Sequence, residues 1–487
     1  MSTIDDALAR GLAHHRAGDL RAAEQIYRQV LGEHPTHAEA LHRLGALALQ
    51  TAHAADAVRL LEQAIAINPS VAEYHNNLGS AYLTVGRNDE ARYQFDAAIR
   101  LDPAMADGHY NRGLALYALG QLDQAAASYR RSLQLRPANP FAHNNLGDLL
   151  RELGSPDEAL DQLNQAVTLA PQYAKAHYNR SLVWLSQGRL AEGWAEYEWR
   201  LQCPDVNPRR FTEPQWNGEP LGERRLMVHA EQGLGDTFQF IRYLPLVQER
   251  CRHVTVEAPA ALVPLLTTSG VKNLVPPGDA RPPFDVQSPL MSLARIFSPT
   301  LESIPSSVPY LFADAALSEH WRGELSKFAG YRVGIFWQGR TSYREDRYRS
   351  VALSQFAPLA QVDGVRLFSL QKGPGSEQIS SVQERFHVVD LGSAVDERSG
   401  PFMDTAAIMK NLDLIVTTDT ASAHLAGALG VPVWCALRSS PDWRWLVERE
   451  DSPWYPTMRL FRQTSAGDWP GVFQRMAAAL SQLVGTA

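Results

Sequence analysis

Three segments bring acids, bases and hydroxyls next to glycines or helix starts, the combination that anionic ligands require. The first is His229-Ala230-Glu231-Gln232-Gly233-Leu234-Gly235-Asp236, where a strand pattern gives way to a helix pattern. Gly233 and Gly235 allow a tight turn and close backbone approach, and Asp236 falls at the helix start, a position that suits an N-cap. No third glycine follows at dinucleotide spacing. The second segment is Thr418-Asp419-Thr420-Ala421-Ser422-Ala423-His424-Leu425, again between a strand and a helix. Helix N–H groups with hydroxyls beside them suit a diphosphate. Asp419 can cap that helix or bond a sugar hydroxyl, and His424 reads either as a ligand contact or as a satisfied core histidine. The third is the loop Gln338–Ser350, with Arg340, Arg344, Arg347 and Arg349 against Glu345 and Asp346. Four guanidinium groups there can neutralise phosphate; a solvated charged loop is the alternative. Lys372, after the next strand, is a further cation.

The elements that must position these residues are legible in the hydrophobic pattern. From Leu226 the runs LMVHA, VTVEA, VGIFW, VRLFSL, LDLIV and VPVWCAL read as buried parallel strands. Helical stretches such as TFQFIRYLPLVQER and SAHLAGALG separate them, which predicts doubly wound sheets. A break near residues 313–331 divides the region into Rossmann-like halves over 206–325 and 326–487. A ligand belongs in the cleft at the carboxyl ends of their strands. The aromatic stretch with Trp194, Tyr197 and Trp199, and Trp216 in the Pro-rich segment after it, reads as packed core.

Residues 1–205 repeat. Pro35, Pro69, Pro103, Pro137 and Pro171 stand 34 residues apart, as do Gly11, Gly45, Gly79, Gly113 and Gly147, and Ala23, Ala57, Ala91, Ala125 and Ala159. Small residues let paired helices approach, and each proline stops a helix. In the sixth unit Ser181 and Gly193 replace the expected Gly and Ala, which suits a terminal cap. Asn77, Asn111, Asn145 and Asn179 keep the same period. Such a row offers amide donors and acceptors to a peptide main chain, or bonds neighbouring helices.

The 487 residues allow two to four folded units. With 45% apolar and 20% charged residues and a net charge of −7, the composition is globular and gives no basic field for nucleic acid. Cys203, Cys251 and Cys435 are too few and scattered for a disulfide framework or a zinc site. The opening residues lack a signal-peptide pattern, and no apolar run is long enough for a membrane span. The expectation is a cytoplasmic protein.

The 34-residue period resembles the tetratricopeptide repeat, an α-solenoid. The asparagine row is similar to the ladder with which O-GlcNAc transferases hold protein acceptors. GLGD after the first strand, and DTASAHLAGALGVPVW near the end, resemble the heptosyltransferase-like glycosyltransferases of family 9. The whole chain looks like bacterial tetratricopeptide-repeat glycosyltransferases. That resemblance implies a GT-B fold, a nucleotide-sugar co-substrate, no metal or other cofactor, and inversion at the anomeric carbon. It makes Asp236 the general base and assigns the donor to Asp419, Thr420, Ala421 and His424, with Arg349, Lys372 and Gln338 beside them. The acceptor falls to Gly233, Gly235 and the four asparagines, as a protein or peptide on the array. Two departures stand out: Ala421 replaces a usual glycine, and RSSPDWRW replaces a Gly-Pro-Thr-type loop. Two rivals stay open, an adaptor whose transferase region has decayed and a transferase for glycan acceptors.

Overall fold

The computed structural model describes residues 3–206, 211–340 and 346–485. Arg344 and Glu345 of the predicted cationic loop lie outside the described residues, as does the side chain of Arg347. The chain forms two compact units, residues 1–176 and 177–487, whereas the predicted array runs on to residue 205.

Twelve helices occupy the described part of the repeat region, from Ile4–Arg16 to Leu190–Tyr197. The periodic glycines explain their pairing. A Cβ built on Gly11, Gly45, Gly79, Gly113 or Gly147 would fall 2.5–2.8 Å from Tyr27, Leu61, Phe95, Tyr129 or Leu163 respectively. Each glycine is therefore the flat surface on which the partner helix lays its large side chain sixteen residues later. The five periodic alanines are wholly buried beside them. The prolines occupy the turns between helix pairs, and the carbonyls of Pro69, Pro103 and Pro137 face the Nε2 atoms of His75, His109 and His143 at 2.9–3.1 Å. That second 34-residue staple joins each of these three turns to the helix that follows it.

The second unit contains two parallel sheets. The first has the order β3-β2-β1-β4, with β1 (Gly222–His229), β2 (Cys251–Glu257), β3 (Leu274–Val275) and β4 (Val286–Pro289). The second has six strands, β5 (Tyr331–Ile335), β6 (Val365–Ser369), β7 (Val388–Asp390), β8 (Leu414–Thr418), β9 (Val433–Leu437) and β10 (Met458–Arg462), in the order β10-β9-β8-β5-β6-β7. Every ladder is parallel. All six predicted strands are present; β3, β4, β7 and β10 join them.

The chain reverses direction across each sheet between β1 and β4, and between β5 and β8. Such switch points open a crevice at the carboxyl ends of the strands. The core of this unit takes in Trp194, Tyr197 and Trp216, each at most 1% exposed, so those aromatics are packed as expected.

Candidate active site at the carboxyl edges of two sheets

The residues that close β1, Leu226–His229, are buried, and the chain turns through Glu231–Gly233 into the Leu234–Phe240 helix. Asp236 is the third residue of that helix and not its N-cap. Its Oδ2 accepts from the Gly233 amide at 2.7 Å, so the carboxylate closes the turn that precedes it. Gly235 has a different task. A Cβ there would lie 3.3 Å from the Ala421 Cα and 2.9 Å from the His424 ring. The start of the first-sheet helix thus touches the start of the Ala421–Ala428 helix of the second sheet, and only glycine allows it.

Across that contact, β8 ends at Thr418, and Thr420 caps the Ala421–Ala428 helix in extended conformation. The hydroxyls of Thr417, Thr420 and Ser422 bond one another at 2.6–3.5 Å. His424 is buried, its Nδ1 is 2.9 Å from the Tyr455 hydroxyl, and its ring stacks on Trp445. Burial, and then the Arg444 charge, push its pKa far below the usual imidazole value, so the ring is neutral. This is the satisfied core histidine that the sequence allowed.

The loop after β5 supplies the third face. Asp346 is buried and accepts from Arg349 Nε at 3.3 Å and from the Ser350 hydroxyl at 2.8 Å. Ser350 in turn accepts the Gly339 amide at 2.9 Å. A Cβ on Gly339 would sit 3.2 Å from both Arg349 Nη2 and Thr420 Cγ2, so the loop brings Arg349 against the Thr420 helix start. Arg340 is exposed. Gln338 points elsewhere: its Oε1 accepts from Gln378 at 3.2 Å, and the side chain packs under Gly375. Lys372 donates to the Val395 carbonyl and pairs with Glu397 at 3.5 Å.

Two residues of this cluster were missed in the sequence, Asp442 and Arg444 of the RSSPDWRW loop. Arg444 donates to Asp236 Oδ1, to Asp442 Oδ1 at 2.9 Å and, through Nε, to Gln239 Oε1 at 2.6 Å. Its guanidinium lies 4.2 Å from the centre of the Trp443 ring. Burial raises the Asp236 pKa above the usual carboxylate value, against the pull of Arg444 and the Gly233 amide. Burial and the nearby Asp442 charge push Asp419 up to about 6. Asp442 itself is held low, because the guanidinium and the backbone amide of Arg444 together outweigh burial. Three carboxylates and two guanidinium groups therefore share one half-buried cluster with unlike proton affinities, the electrostatic condition for acid–base chemistry.

The asparagine row is real but engaged. Asn77 Nδ2 donates to His42 Nε2 at 2.7 Å, Asn111 to Asn76 Oδ1 at 3.0 Å and Asn145 to the Tyr110 hydroxyl at 3.0 Å. Each contact reaches 35 residues back, so the row stitches the first helix of one repeat to that of the repeat before. Burial holds His42 near pKa 4, so its Nε2 is free to accept. Asn77, Asn111 and Asn145 remain partly exposed, and a cavity of about 650 Å³ lined by Arg16, His42, Arg43, Asn76 and Asn77 opens beside the first of them. Asn179 is buried in the second unit.

Comparison with known proteins bears on the repeats. Residues 14–81, 76–140 and 144–198 match tetratricopeptide-repeat families. Protein FlbA of Caulobacter vibrioides is 28% identical over 332 residues, covering 62% of this chain and 54% of FlbA; the chain therefore spans about half the length of that relative. MamA is 27% identical over 34% of this chain and 96% of its own, with a TM-score of 0.31. A thermophilic tetratricopeptide protein of Thermus thermophilus is 26% identical over 38% of this chain and 100% of its own, with a TM-score of 0.33. Among the described residues, no helix is long and apolar enough to cross a membrane.

Proposed function

We propose that this tetratricopeptide-repeat protein is a glycosyltransferase of the GT-B kind, moving a sugar from a nucleotide-sugar to an acceptor hydroxyl on a protein. The observation that carries the reading is the meeting of two strand-end helices at Gly235 and Ala421, with Asp236, Asp419 and Arg349 gathered around it. All come from carboxyl ends of strands beside switch points, where open α/β sheets bind ligands.

The reaction is a direct displacement. The acceptor oxygen forms a bond to the anomeric carbon while the bond from that carbon to the diphosphate oxygen breaks, its electron pair leaving with the nucleotide. The hydroxyl proton passes to Asp236. Burial, which raises the basicity of that carboxylate, offsets the opposite effect of its place in a helix first turn. Arg349 and the Thr420 helix start stabilise the departing diphosphate. Asp419, whose pKa burial and then the Asp442 charge push up to about 6, donates to or accepts from a sugar hydroxyl. The partly exposed asparagines and the adjoining cavity present the acceptor chain.

One observation favours a second reading, a non-catalytic adaptor: Arg444 occupies the Asp236 carboxylate. A thermal-shift screen of nucleotides and nucleotide-sugars separates the two. A ligand at 100 times its Kd stabilises the folded state by about 2.7 kcal/mol. The transferase reading expects such a shift with at least one nucleoside diphosphate and release of that diphosphate from its sugar. No shift with any of them supports the adaptor.

A further inference from the structure

The last repeat helix, Leu190–Tyr197, runs into a helical turn, Glu198–Gln202, that carries Arg200. This arginine is wholly buried in the α/β unit. Its Nε and Nη2 form a two-pronged pair with Glu231 at 3.1 and 2.7 Å. Nη1 donates to the Tyr197 carbonyl at 3.1 Å and to Glu198 at 2.9 Å, and Nη2 also reaches the Ser292 hydroxyl at 2.9 Å. All five guanidinium N–H groups are accounted for. Glu231, equally buried, takes a further bond from the Met291 amide at 3.3 Å.

The placement is what matters. Glu231 lies in the turn after β1, five residues before Asp236, and Met291 and Ser292 lie in the helical turn Leu290–Ser292 that follows β4. Arg200 therefore ties together the two loops that flank the first switch point. A second route starts from the same turn. Tyr197 packs under Arg200 at 4.6 Å and against Trp443 at 6.1 Å, and Trp443 carries Arg444, the partner of Asp236. Burying an ion pair of this kind adds little stability over a well-packed apolar pair. What it supplies is a fixed geometry.

We infer that Arg200 is a positioning residue: the end of the repeat array is built into the site, and the Arg200–Glu231 pair sets the turn that aims Asp236. Its catalytic consequence rests on the proposed transferase reaction; the effect on the turn does not. The test is hydrogen exchange on the full chain, comparing wild type with Arg200→Met combined with Glu231→Leu, an apolar pair that restores packing. Amides of 230–236 should exchange at least ~10-fold faster, while those of 226–229 and the melting temperature stay as in wild type. In turnover, kcat should fall with the donor KM unchanged. Should the double variant fold poorly, Arg200→Lys, which keeps the charge and loses the fork, is read the same way and should show an intermediate effect. Unchanged exchange over 230–236 in a folded variant overturns the inference, as does acceleration that is uniform over the whole unit. A wild-type protein without turnover defeats the transferase reading alone and leaves the exchange result standing.

Discussion

Arg444 and Asp236 stand 208 residues apart and meet as a largely buried ion pair. The pair joins the loop after β9 to the helix after β1, and its guanidinium pulls the pKa of the proposed base down against burial. Asp442 and Gln239 complete its coordination.

Arg444→Leu leaves Asp236 buried without its cation. Breaking a buried pair from one side costs ~3–5 kcal/mol, so the unfolding free energy of the second unit, read from urea titration, should fall by that amount. Arg444→Lys should recover only part of it, since an ammonium cannot serve Asp236, Asp442 and Gln239 in one plane. A stability equal to wild type would remove the pair from the fold.

Glycine substitutions in the array should change sign with context. At Gly79 an added Cβ meets the Phe95 ring at 2.6 Å, whereas at Gly32 nothing lies within 4 Å. Gly79→Ala should destabilise by ~1–3 kcal/mol through overpacking. Gly32→Ala should stabilise by up to ~1 kcal/mol, because alanine is the better helix former. Chemical denaturation of the two variants reads both.

This period was legible because its cause is local: one small residue faces one large one sixteen positions on, five times over. Six strands were equally plain, since buried parallel strands read as apolar runs; β3, β4 and β7 are too short to show such a run, and β10 exposes Arg459 within it. Arg444 and Asp442 were not. RSSPDWRW looks like an aromatic-rich loop, and its meaning comes from a helix two hundred residues earlier. Gln338 and Lys372 stand at the expected strand ends, but the sequence did not show that their side chains bond Gln378 and Val395. The asparagine row showed its spacing without showing that each member reaches 35 residues back.

Asp419 should leave a mark on stability against pH. Its pKa rises from 3.8 to about 6 on folding, so the folded state binds the extra proton. The contribution of this residue is fully present below pH ~4 and is lost as pH rises through about 6. The stability difference between wild type and Asp419→Asn should thus move against wild type by on the order of 2–3 kcal/mol between pH 4 and 7, at ~1.4 kcal/mol per pKa unit. Urea titrations at four pH values measure it; a flat difference contradicts the shift.

Replacing Asn77, Asn111 and Asn145 together by Ala removes three bonds between repeats, each with a net contribution of ~0.5–1.5 kcal/mol. The array should melt earlier yet stay folded at room temperature. Under those conditions transfer to a protein acceptor should weaken while donor hydrolysis is spared. Equal transfer by the variant would confine these residues to stitching helices.

Turnover by Asp236→Asn tests the proposed reaction most directly. Asparagine keeps the shape, and its carbonyl still accepts from Gly233 or Arg444, but it cannot take a proton. A ~10²–10⁴-fold loss of kcat is expected, with the donor-induced thermal shift retained. Near wild-type turnover in a variant that still binds the donor would contradict it.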